Sequence, residues 1–418
     1  MLMPLAARWR LILLLALAAA LNYADRAAYS SVLPPLRQEL GLSDTALGLM
    51  GSLFLWSYAL ASPLAGILAD RYSRPKLVLL SLVAWSAVTL ATGAAGGVLS
   101  LALLRIGLGV AESLYLPAAT ALIADHHDTT TRARAMSIHS VGLNCGVVLG
   151  GAFAGYSAQH FGWRTGFVVL GLAGIVLAAL ARNQIVDAVK PAGTPAMRRQ
   201  PAAAALRYLL RVRSFHVLLL KTMLAGFTIW IFLSWLPLYF NEAFQMTLGA
   251  AGFAGTFMLQ ISVMLGMVGG GWISDRVARH GPRSRMLVIA VSYFCAAPFL
   301  LIFLQRPGFA AVIFAVSAFS FLRGLGEASE KPALCDVVPP CFRSTALGLM
   351  NTCATAAGGL GVLLAGMLKR SWGLEAVFAG SAAIFVFAGI WLFVGYRYFM
   401  ADDIARVRQF EARLMPDP

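Results

Sequence analysis

The sequence predicts an all-α polytopic membrane protein of twelve transmembrane helices, arranged as two pseudo-symmetric halves of six. Three observations support this fold class. Hydrophobic residues make up 59% of the 418 residues and charged residues only 12%, about half the charged share of a soluble domain. Apolar runs of about 20 residues, long enough to cross a bilayer, recur along the chain. Short motifs of the first half also return in the second half.

Twelve apolar segments are predicted to span the membrane. They run roughly over residues 10–35, 46–69, 76–96, 98–122, 133–158, 163–182, 215–240, 248–273, 285–305, 308–334, 343–368 and 374–398. The first could be read as a signal peptide, but it lacks a clear small-residue cleavage site, so we expect it to be retained.

Composition divides the chain further. Residues 183–214 are rich in Ala, Pro and Arg and contain no long apolar run, which is typical of a linker. We therefore predict an N-terminal half at 1–182, a cytoplasmic linker at 183–214, a C-terminal half at 215–399 and a polar cytoplasmic tail at 400–418.

The net charge is +15, and the basic residues behind it are unequally divided between the two predicted sides of the membrane. Most lysines and arginines fall in loops of one side, whereas the loops of the other side carry only Arg37, Arg164, Arg306, Lys369 and Arg370. This asymmetry predicts a multi-pass inner-membrane protein with both termini in the cytoplasm. The expected partner of the basic loops is the lipid bilayer and not nucleic acid.

Nothing in the sequence indicates an enzyme. The five cysteines and six histidines show no metal-ligand spacing and no disulfide framework. No phosphate-binding loop is present, so we expect neither ATP nor any other cofactor, and the proton is the expected coupling ion.

The two halves repeat each other. Gly66-Ile-Leu-Ala-Asp70-Arg71 ends the second span, and Gly271-Trp-Ile-Ser-Asp275-Arg276 ends the eighth. The fourth span contains Arg105 and Glu112, and the tenth contains Arg323 and Glu330 at the same spacing. Phe161-Gly-Trp-Arg164 and Trp372-Gly-Leu-Glu375 begin the sixth and twelfth spans. Carriers built from such repeats move their halves about a site between them.

The loop after the second span reads Gly66-x-x-x-Asp70-Arg71-x-x-Arg74-x-Lys76, and here the chain resembles the major facilitator superfamily. The resemblance implies a monomer whose cytoplasmic loop locks the outward-facing state, with Asp70 in a charge relay beside Arg71 and Arg74. Asp275 and Arg276 belong to the looser second copy. The alternative is that such charges only anchor the loops. We expect the lock for Asp70, and anchoring for Arg283 and Arg285.

Charges inside the spans are functional candidates, because a charge in the bilayer is costly. They are Asp25, Arg26, Arg105, Glu112, Lys221, Arg323, Glu327, Glu330 and Lys331. Asp25 and Arg26 are neighbours and point about 100° apart on a helix, so they address different surroundings.

Three features of the first half resemble two branches of that superfamily, the anion:cation symporters and the Spinster-like transporters. They are Asn22-Tyr-x-Asp25-Arg26, Tyr58 and Arg105-x-Gly-x-Gly-x-x-Glu112. The symporter resemblance implies that Arg26 and Arg105 bind a substrate carboxylate with Tyr58 nearby, and that Asp25 and Glu112 carry the coupling proton.

The physical argument agrees, because two buried guanidiniums need an anion. Substrate and Glu112 are expected to compete for Arg105. The alternative is a permanent Arg105–Glu112 pair.

The second half leaves more open. Lys221 either extends to the headgroups or is a functional charge inside the span. In one alternative, Arg323 and Glu327 line a second polar wall of the cavity, with Arg323 as a substrate site and Glu327 as a proton site. In the other, Glu327 pairs with Lys331.

Uncharged side chains complete the predictions. Gln260 and Asn351 either bind substrate or bond neighbouring helices. His139 is expected to be a bonded structural histidine. The glycine series from Gly142 to Gly155 is expected to be a close-packing face.

The sequence thus predicts a secondary transporter for proton-coupled symport of small organic anions, such as sugar acids. One alternative is a Spinster-like transporter of lysolipids or other amphiphiles. Another, of a different class, is a transporter-like membrane sensor.

Overall fold

A computed structural model describes residues 5–127, 131–186, 202–279 and 281–414, which are almost entirely helical. The α-helices are α1 (Leu5–Ser31), α2 (Leu33–Leu40), α3 (Asp44–Arg71), α4 (Arg74–Thr92), α5 (Val98–Ser113), α6 (Tyr115–His126), α7 (Arg132–Phe161), α8 (Trp163–Ala181), α9 (Ala202–Leu209), α10 (Arg213–Phe244), α11 (Leu248–Ala278), α12 (Ser284–Leu300), α13 (Phe309–Val337), α14 (Arg343–Tyr398) and α15 (Met400–Leu414). Short 3-10 helices lie at Leu301–Gln305 and Pro340–Phe342.

Within these residues, eleven helical stretches are long and apolar enough to cross a membrane. α5 and α6 together form one of them, Val98–His126. The last stretch contains Gly373, whose φ of 77° and ψ of 163° break α14 into two segments. Counting both segments, the described residues contain twelve such stretches, as predicted, and the predicted fold class is confirmed.

Two glycines form the corners that open the last span of each half. Gly162 has φ 87° and ψ 152° between α7 and α8, nearly the conformation of Gly373. A positive φ with an extended ψ is a region that glycine alone occupies readily. The repeated motifs at the sixth and twelfth spans therefore have the same backbone geometry.

The first span ends earlier than predicted. α1 stops at Ser31, and the separate helix α2 starts at Leu33 with a proline at its first turn. Pro34 and Pro35 cannot donate backbone hydrogen bonds to α1, so they begin a new helix. Gly41 caps α2 in the left-handed conformation, with φ 62°.

The chain forms two compact units. Unit 1 comprises Met1–Thr194, Trp230–Phe257 and Gly359–Arg370, and unit 2 comprises Pro195–Ile229, Met258–Gly358 and Ser371–Pro418. The domain boundaries at 182, 214 and 399 stay predictions. Within the predicted linker, residues 187–201 lie outside the described residues.

Unit 1 contains a close contact between α1 and α7. A Cβ atom added to Gly142 would lie 2.4 Å from the carbonyl oxygen of Ala16, and one added to Gly146 would lie 2.1 Å from that of Ala20. Side chains at these glycines would therefore collide with the backbone of α1. The predicted close-packing face is confirmed for this pair of helices.

Four charges join the helix ends of unit 1 in a closed ring. Arg37 on α2 bonds Asp44 on α3 at 3.2 Å and Glu242 on α10 at 3.0 Å. Lys369 on α14 bonds the same two carboxylates, at 3.1 Å and 3.0 Å. Each charge of this four-charge ring has two opposite partners, so the ring ties four helices together.

Candidate functional site

Arg26 is the centre of the polar cluster in unit 1. Its Nε donates to Oε2 of Glu112 on α5 at 2.7 Å, and one of its terminal nitrogens donates to the Asn22 side-chain oxygen at 3.1 Å. The Arg26 and Glu112 side chains are 9% and 0% exposed. A buried, charge-assisted hydrogen bond of this kind is strong and directional.

Three aromatic rings surround the Arg26 guanidinium. Its Cζ lies 4.5 Å from the ring centre of Tyr23, 4.7 Å from Tyr58 and 5.2 Å from Phe54. Ring faces attract a cation where water is excluded. The rings stabilise the charge without neutralising it, so Arg26 can still bind an anion.

Arg105 lies on the other side of Phe54. Its Cζ is 4.8 Å from the Phe54 ring and 4.3 Å from the Tyr29 ring. Its Nε donates to the Met50 carbonyl oxygen at 3.3 Å. These neighbours are neutral, so Arg105 differs from Arg26 in having no bonded carboxylate among the described residues.

The two arginines line one small cavity within unit 1. The cavity measures about 10 Å³, close to the room that a single water molecule occupies. Its lining consists of Arg26, Tyr29, Ser30, Gly51, Phe54, Leu55, Arg105, Trp230 and Ser234. Two cations and several hydroxyl groups around one space favour an anionic ligand.

Asp25 points away from Arg26, as their spacing on α1 predicts. Its Oδ2 accepts a hydrogen bond from the Thr89 hydroxyl on α4 at 2.9 Å. Within the described part of the chain, Oδ1 of Asp25 and Oε1 of Glu112 have no hydrogen-bond partner. Each buried carboxyl group thus keeps one oxygen that a proton could occupy.

We predicted that a substrate anion and Glu112 compete for Arg105, and this is wrong about which arginine Glu112 bonds. Glu112 lies seven residues from Arg105 on the same helix, about 10 Å along its axis, and the structure bonds Glu112 to Arg26 instead. The alternative of a permanent Arg105–Glu112 pair fails for the same reason.

Unit 2 contains a second buried ion pair. The Lys221 side chain on α10 is 1% exposed, and its Nζ donates to Oε2 of Glu330 on α13. The Thr222 hydroxyl donates to Oε1 of Glu330 at 2.8 Å. The interpretation of Lys221 as a headgroup anchor is wrong, because the carboxylate holds its ammonium group inside the unit.

Of the two alternatives for Glu327, the pair with Lys331 is wrong. Glu327 bonds Arg323, one turn earlier on α13, and Lys331 is exposed. Both candidate partners are four residues from Glu327, so spacing alone could not separate them. The Arg323 side chain, 8% exposed, is the one that lies inside the unit with Glu327.

The other polar candidates occupy varied positions. Gln260 is half-buried on α11, and Asn351 is exposed on α14. His139 lies 3.0 Å from the Tyr115 hydroxyl, which itself donates to the Leu15 carbonyl oxygen at 2.5 Å. This confirms His139 as a bonded structural histidine.

An ion pair that was not predicted from the sequence holds the loop after α3. Arg74 bonds Asp125 at the end of α6 and donates to the Ala121 carbonyl oxygen at 3.4 Å. Arg71 is exposed. The Asp70 side chain lies outside the described part of the structure, so its role as a lock stays a prediction.

The second half contains the equivalent pair. Arg285 bonds both carboxylate oxygens of Asp336, at 2.9 Å and 2.7 Å, so the interpretation of Arg285 as a mere anchor is wrong. Asp275 and Arg276 are exposed. In both halves the aspartate follows its arginine by 51 residues, a repeat that could have identified Asp125 and Asp336 from sequence.

Comparison with known proteins agrees with this architecture. Residues 15–328 match the family described as Major Facilitator Superfamily. A probable L-galactonate transporter of Escherichia coli K12 is 31% identical, over 69% of this chain and 67% of its own. A hexuronate transporter of Bacillus subtilis is 26% identical, over 92% and 94%.

Among solved structures, a bacterial homolog of the human lysosomal transporter Spinster superimposes with a TM-score of 0.81. It is 21% identical and covers 96% of this chain and 99% of its own. This likeness concerns the fold. Together with the sequence relatives and the twelve spans, the family match gives one conclusion: the chain belongs to the Major Facilitator Superfamily and is a membrane transporter, not an enzyme.

Proposed function

We propose that the protein is a proton-coupled symporter of small organic anions, such as sugar acids or other carboxylates, that works by alternating access in the inner membrane with both termini cytoplasmic. One observation carries the proposal. Arg26 and Arg105 line the same cavity, and the carboxylate bonded to Arg26 is a buried glutamate, Glu112. A cavity with two arginines suits a carboxylate substrate.

The Arg26–Glu112 bond supplies the coupling. An ionised Glu112 neutralises Arg26, so a substrate anion must displace it. A proton on Glu112 breaks the ion pair and leaves Arg26 with uncompensated positive charge, which is costly in a buried site. An incoming carboxylate removes that cost. Proton and anion therefore bind favourably together, and each binds poorly alone.

Other residues have supporting roles. Tyr58 keeps its ring over Arg26 and can donate its hydroxyl to the substrate. Asp25, with one unbonded oxygen, is a second carrier of the coupling proton. Gln260, Arg323 and Asn351 stay candidates for substrate contact, and Glu327 stays a candidate proton site.

The sequence relatives support the substrate class. Galactonate and hexuronate, named for two of the relatives, are sugar acids that carry one carboxylate and several hydroxyl groups. The two arginines of the cavity match the carboxylate. The proton is the only coupling ion that this arrangement requires.

Uptake into proteoliposomes tests the proposal. We expect the wild-type protein to accumulate a radiolabelled sugar acid when the pH gradient is imposed. Glu112→Gln keeps the hydrogen-bonding shape but cannot exchange a proton, so we expect it to exchange substrate across the membrane without accumulating it. Glu375→Gln on α14 is the matched control and should behave as wild type.

Two results would contradict the proposal. One is gradient-driven accumulation that persists in Glu112→Gln. The other is a wild-type protein that moves lysolipid and no sugar acid, with a rate that Arg105→Ala leaves unchanged; this result would favour the amphiphile transporter.

A further inference from the structure

Unit 2 has a groove between α9 and α15. It measures about 360 Å³, which lies within the range of small-ligand sites. Its lining consists of Tyr208, Arg211, Val212, Arg406, Gln409 and Phe410. None of these residues belongs to the proposed transport site, so the proposed symport gives the groove no role.

α15 is fixed to unit 2 along one face. Its Asp403 is 2% exposed and accepts a hydrogen bond from the backbone nitrogen of Ser214, at the start of α10, at 2.8 Å. Met400, Ile404 and Val407 follow at helical spacing on the same face and are buried. One wall of the groove is therefore a packed helix.

Three aromatic rings join the two helices. The centre of the Tyr208 ring on α9 lies 5.9 Å from that of Phe410 on α15 and 5.1 Å from that of Phe342, just before α14. The ring centres of Phe342 and Phe410 are 6.2 Å apart. Aromatic pairs at such distances stabilise a contact, so α9 has a defined position relative to α15.

The groove lies at the level of the lipid headgroups. α9 ends at Leu209, just before the apolar stretch Arg213–Phe244, and α15 begins at Met400, just after the stretch that ends at Tyr398. A helix that crosses a bilayer meets the headgroups where it begins and where it ends. Both walls of the groove therefore stand next to the headgroup layer.

Arginines packed on aromatic rings support this level. Cζ of Arg213 lies 5.6 Å from the centre of the Phe399 ring, and Cζ of Arg397 lies 5.3 Å from the centre of the Tyr398 ring. Aromatic rings are enriched at membrane interfaces, and arginine side chains extend from the ends of spans toward the headgroups. These pairs are typical of the membrane interface.

Two cations line the groove. Arg211 is exposed, and its side chain has no ion-pair partner in the part of the chain that the structure describes. The Arg406 side chain is 58% exposed and uses one terminal nitrogen to bond Oδ1 of Asp403 at 3.1 Å. A guanidinium has several N–H donors, so both arginines keep donors for a further anion. Because arginine bonds phosphate oxygens in pairs, the groove favours a phosphate group.

Exposed leucines lie beside these cations in the sequence. Leu206 on α9 is 45% exposed, and Leu210, one helical turn later, is 62% exposed. Residues one turn apart share a face of a helix, and an apolar face beside basic residues is typical of helices that lie in the membrane interface. A free phosphate ion offers nothing to these leucines, whereas a phospholipid supplies acyl chains for them and a phosphate for the arginines.

We propose that the groove is a binding site for one anionic phospholipid, with its phosphate between Arg211 and Arg406 and its acyl chains against Leu206 and Leu210. The site differs from the general attraction of basic loops to the bilayer, because one lipid contacts arginines of two separate segments. A bound lipid ties the segment before α10 to α15.

Native mass spectrometry of the full-length protein in detergent tests the proposal. The protein is titrated with phosphatidylglycerol, which is anionic, and with phosphatidylcholine of the same acyl chains, which has no net charge. We expect phosphatidylglycerol to bind more tightly. Arg211→Gln with Arg406→Gln should weaken its first binding step about 30-fold, because two arginines near an anionic headgroup are lost. Equal affinity of the wild type for both lipids overturns the proposal, as does unchanged phosphatidylglycerol binding in the double variant.

Arg207→Gln with Arg279→Gln is the matched control. Both arginines are exposed and lie outside the lining of the groove, so this variant loses the same charge and should bind phosphatidylglycerol as wild type does. An equal loss in both double variants would mean that only net charge matters, and it would overturn the site. Without lipid, both double variants should melt close to wild type, because the changed side chains are at the surface.

Inorganic phosphate separates the two sources of a phosphate group. A large excess of it should leave phosphatidylglycerol bound, because the acyl chains contribute to the affinity. Displacement of the lipid by inorganic phosphate would identify a soluble phosphate as the ligand and overturn the proposal.

A photoactivatable phosphatidylglycerol locates the site in the wild type and requires no variant. With a diazirine on its acyl chain, we expect crosslinks at Leu206 and Leu210, mapped by mass spectrometry of peptides. Crosslinks confined to other helices overturn the proposal. These measurements require no transport, so a failure of the proposed symport leaves lipid binding to decide this inference.

Discussion

At the scale of single residues, the site depends on how few hydrogen bonds its carboxyl groups make. Asp25 and Glu112 are 2% and 1% exposed, yet each bonds a protein donor through one oxygen only. A group that served only stability would be expected to have its remaining lone pairs satisfied. The unbonded oxygens are the positions that the proposed coupling proton would occupy.

Removal of the single donor to Asp25 should be costly. Thr89→Val keeps the shape of the side chain but leaves Asp25 buried with no protein donor to Oδ2, and we expect about 1–3 kcal/mol of lost stability. Thermal unfolding in detergent measures this loss.

A threonine one turn further along α4 is the control. The Thr92 hydroxyl bonds the Val88 carbonyl oxygen of its own helix, so Thr92→Val should melt close to wild type. Equal melting temperatures for Thr89→Val and wild type would show that the hydrogen bond to Asp25 contributes nothing to stability.

At the scale of helices, the contact between α1 and α7 brings Arg26 and Asp25 to fixed positions. Gly146 permits an approach that no side chain allows, since an added Cβ would lie 2.1 Å from the Ala20 carbonyl oxygen. α1 cannot withdraw without moving both functional residues. The glycine face thus positions the site as well as packing the helices.

Gly146→Ala should destabilise the protein by about 1–3 kcal/mol, because the methyl group overpacks the contact. Gly380→Ala on α14 is the matched control: its Cβ meets no atom within 4 Å, and alanine favours helix by about 1 kcal/mol. Unfolding of the two variants should shift in opposite directions. A shift of the same sign and size in both would contradict close packing at Gly146.

The four-charge ring makes a prediction at the same scale. Asp44→Asn removes one of its two anions and leaves Arg37 and Lys369 to share Glu242. We expect a broader distance distribution between spin labels at the exposed positions Thr45 and Ala243. About 1 M salt, where the Debye length is about 3 Å, should broaden the wild-type distribution similarly.

An exposed carboxylate elsewhere provides the comparison for the ring. Asp402→Asn on α15 changes the net charge by the same amount but lies outside the ring, so its distance distribution should match wild type. Asp44→Asn with an unchanged distribution would mean that the ring does not hold α3 and α10 together.

At the scale of the whole molecule, the pH dependence of transport should come from the buried groups. Glu39 shows why an exposed carboxylate is not expected to contribute to this pH dependence. Hydrogen bonds from Arg164 and from the Trp163 indole hold the pKa of Glu39 below its usual value. The contact is therefore intact above the usual pKa of glutamate, and it is lost only as pH falls through the lowered value.

Glu39→Gln should consequently leave the pH profile of sugar-acid uptake unchanged between about pH 5 and about pH 8. Glu112→Gln should flatten the same profile, because it removes the exchanging group. Initial uptake rates in proteoliposomes across this range measure both. A profile that moves with Glu39→Gln would place part of the pH response at the surface of the protein.

The sequence alone was enough to predict the fold class and the charged residues of the site in unit 1. It was not enough to predict which of these residues form ion pairs with each other. The apolar spans and the repeated motifs predicted the architecture, and the cost of charge in a bilayer identified Arg26, Arg105 and Glu112. The partner of Glu112 depended on which helix packs beside α5. That is a tertiary contact with no local signal in the sequence.

The same limit explains the errors in the second half. The sequence left Lys221 open between a headgroup anchor and a functional charge, because its position depends on a carboxylate that is distant in sequence, Glu330. Glu327 had two possible partners on its own helix, and only the packing of α13 separates them. The Arg74–Asp125 and Arg285–Asp336 pairs were accessible in principle, because both halves keep the same arginine-to-aspartate spacing.

The two glycine corners have a consequence for how the halves can be compared. The residues around the two glycines differ: Phe161 and Trp163 flank Gly162, whereas Trp372 and Leu374 flank Gly373. The backbone angles of the two glycines are nearly alike. A conformation that glycine alone adopts readily therefore recurs at the equivalent place in both halves, although the side chains around it differ.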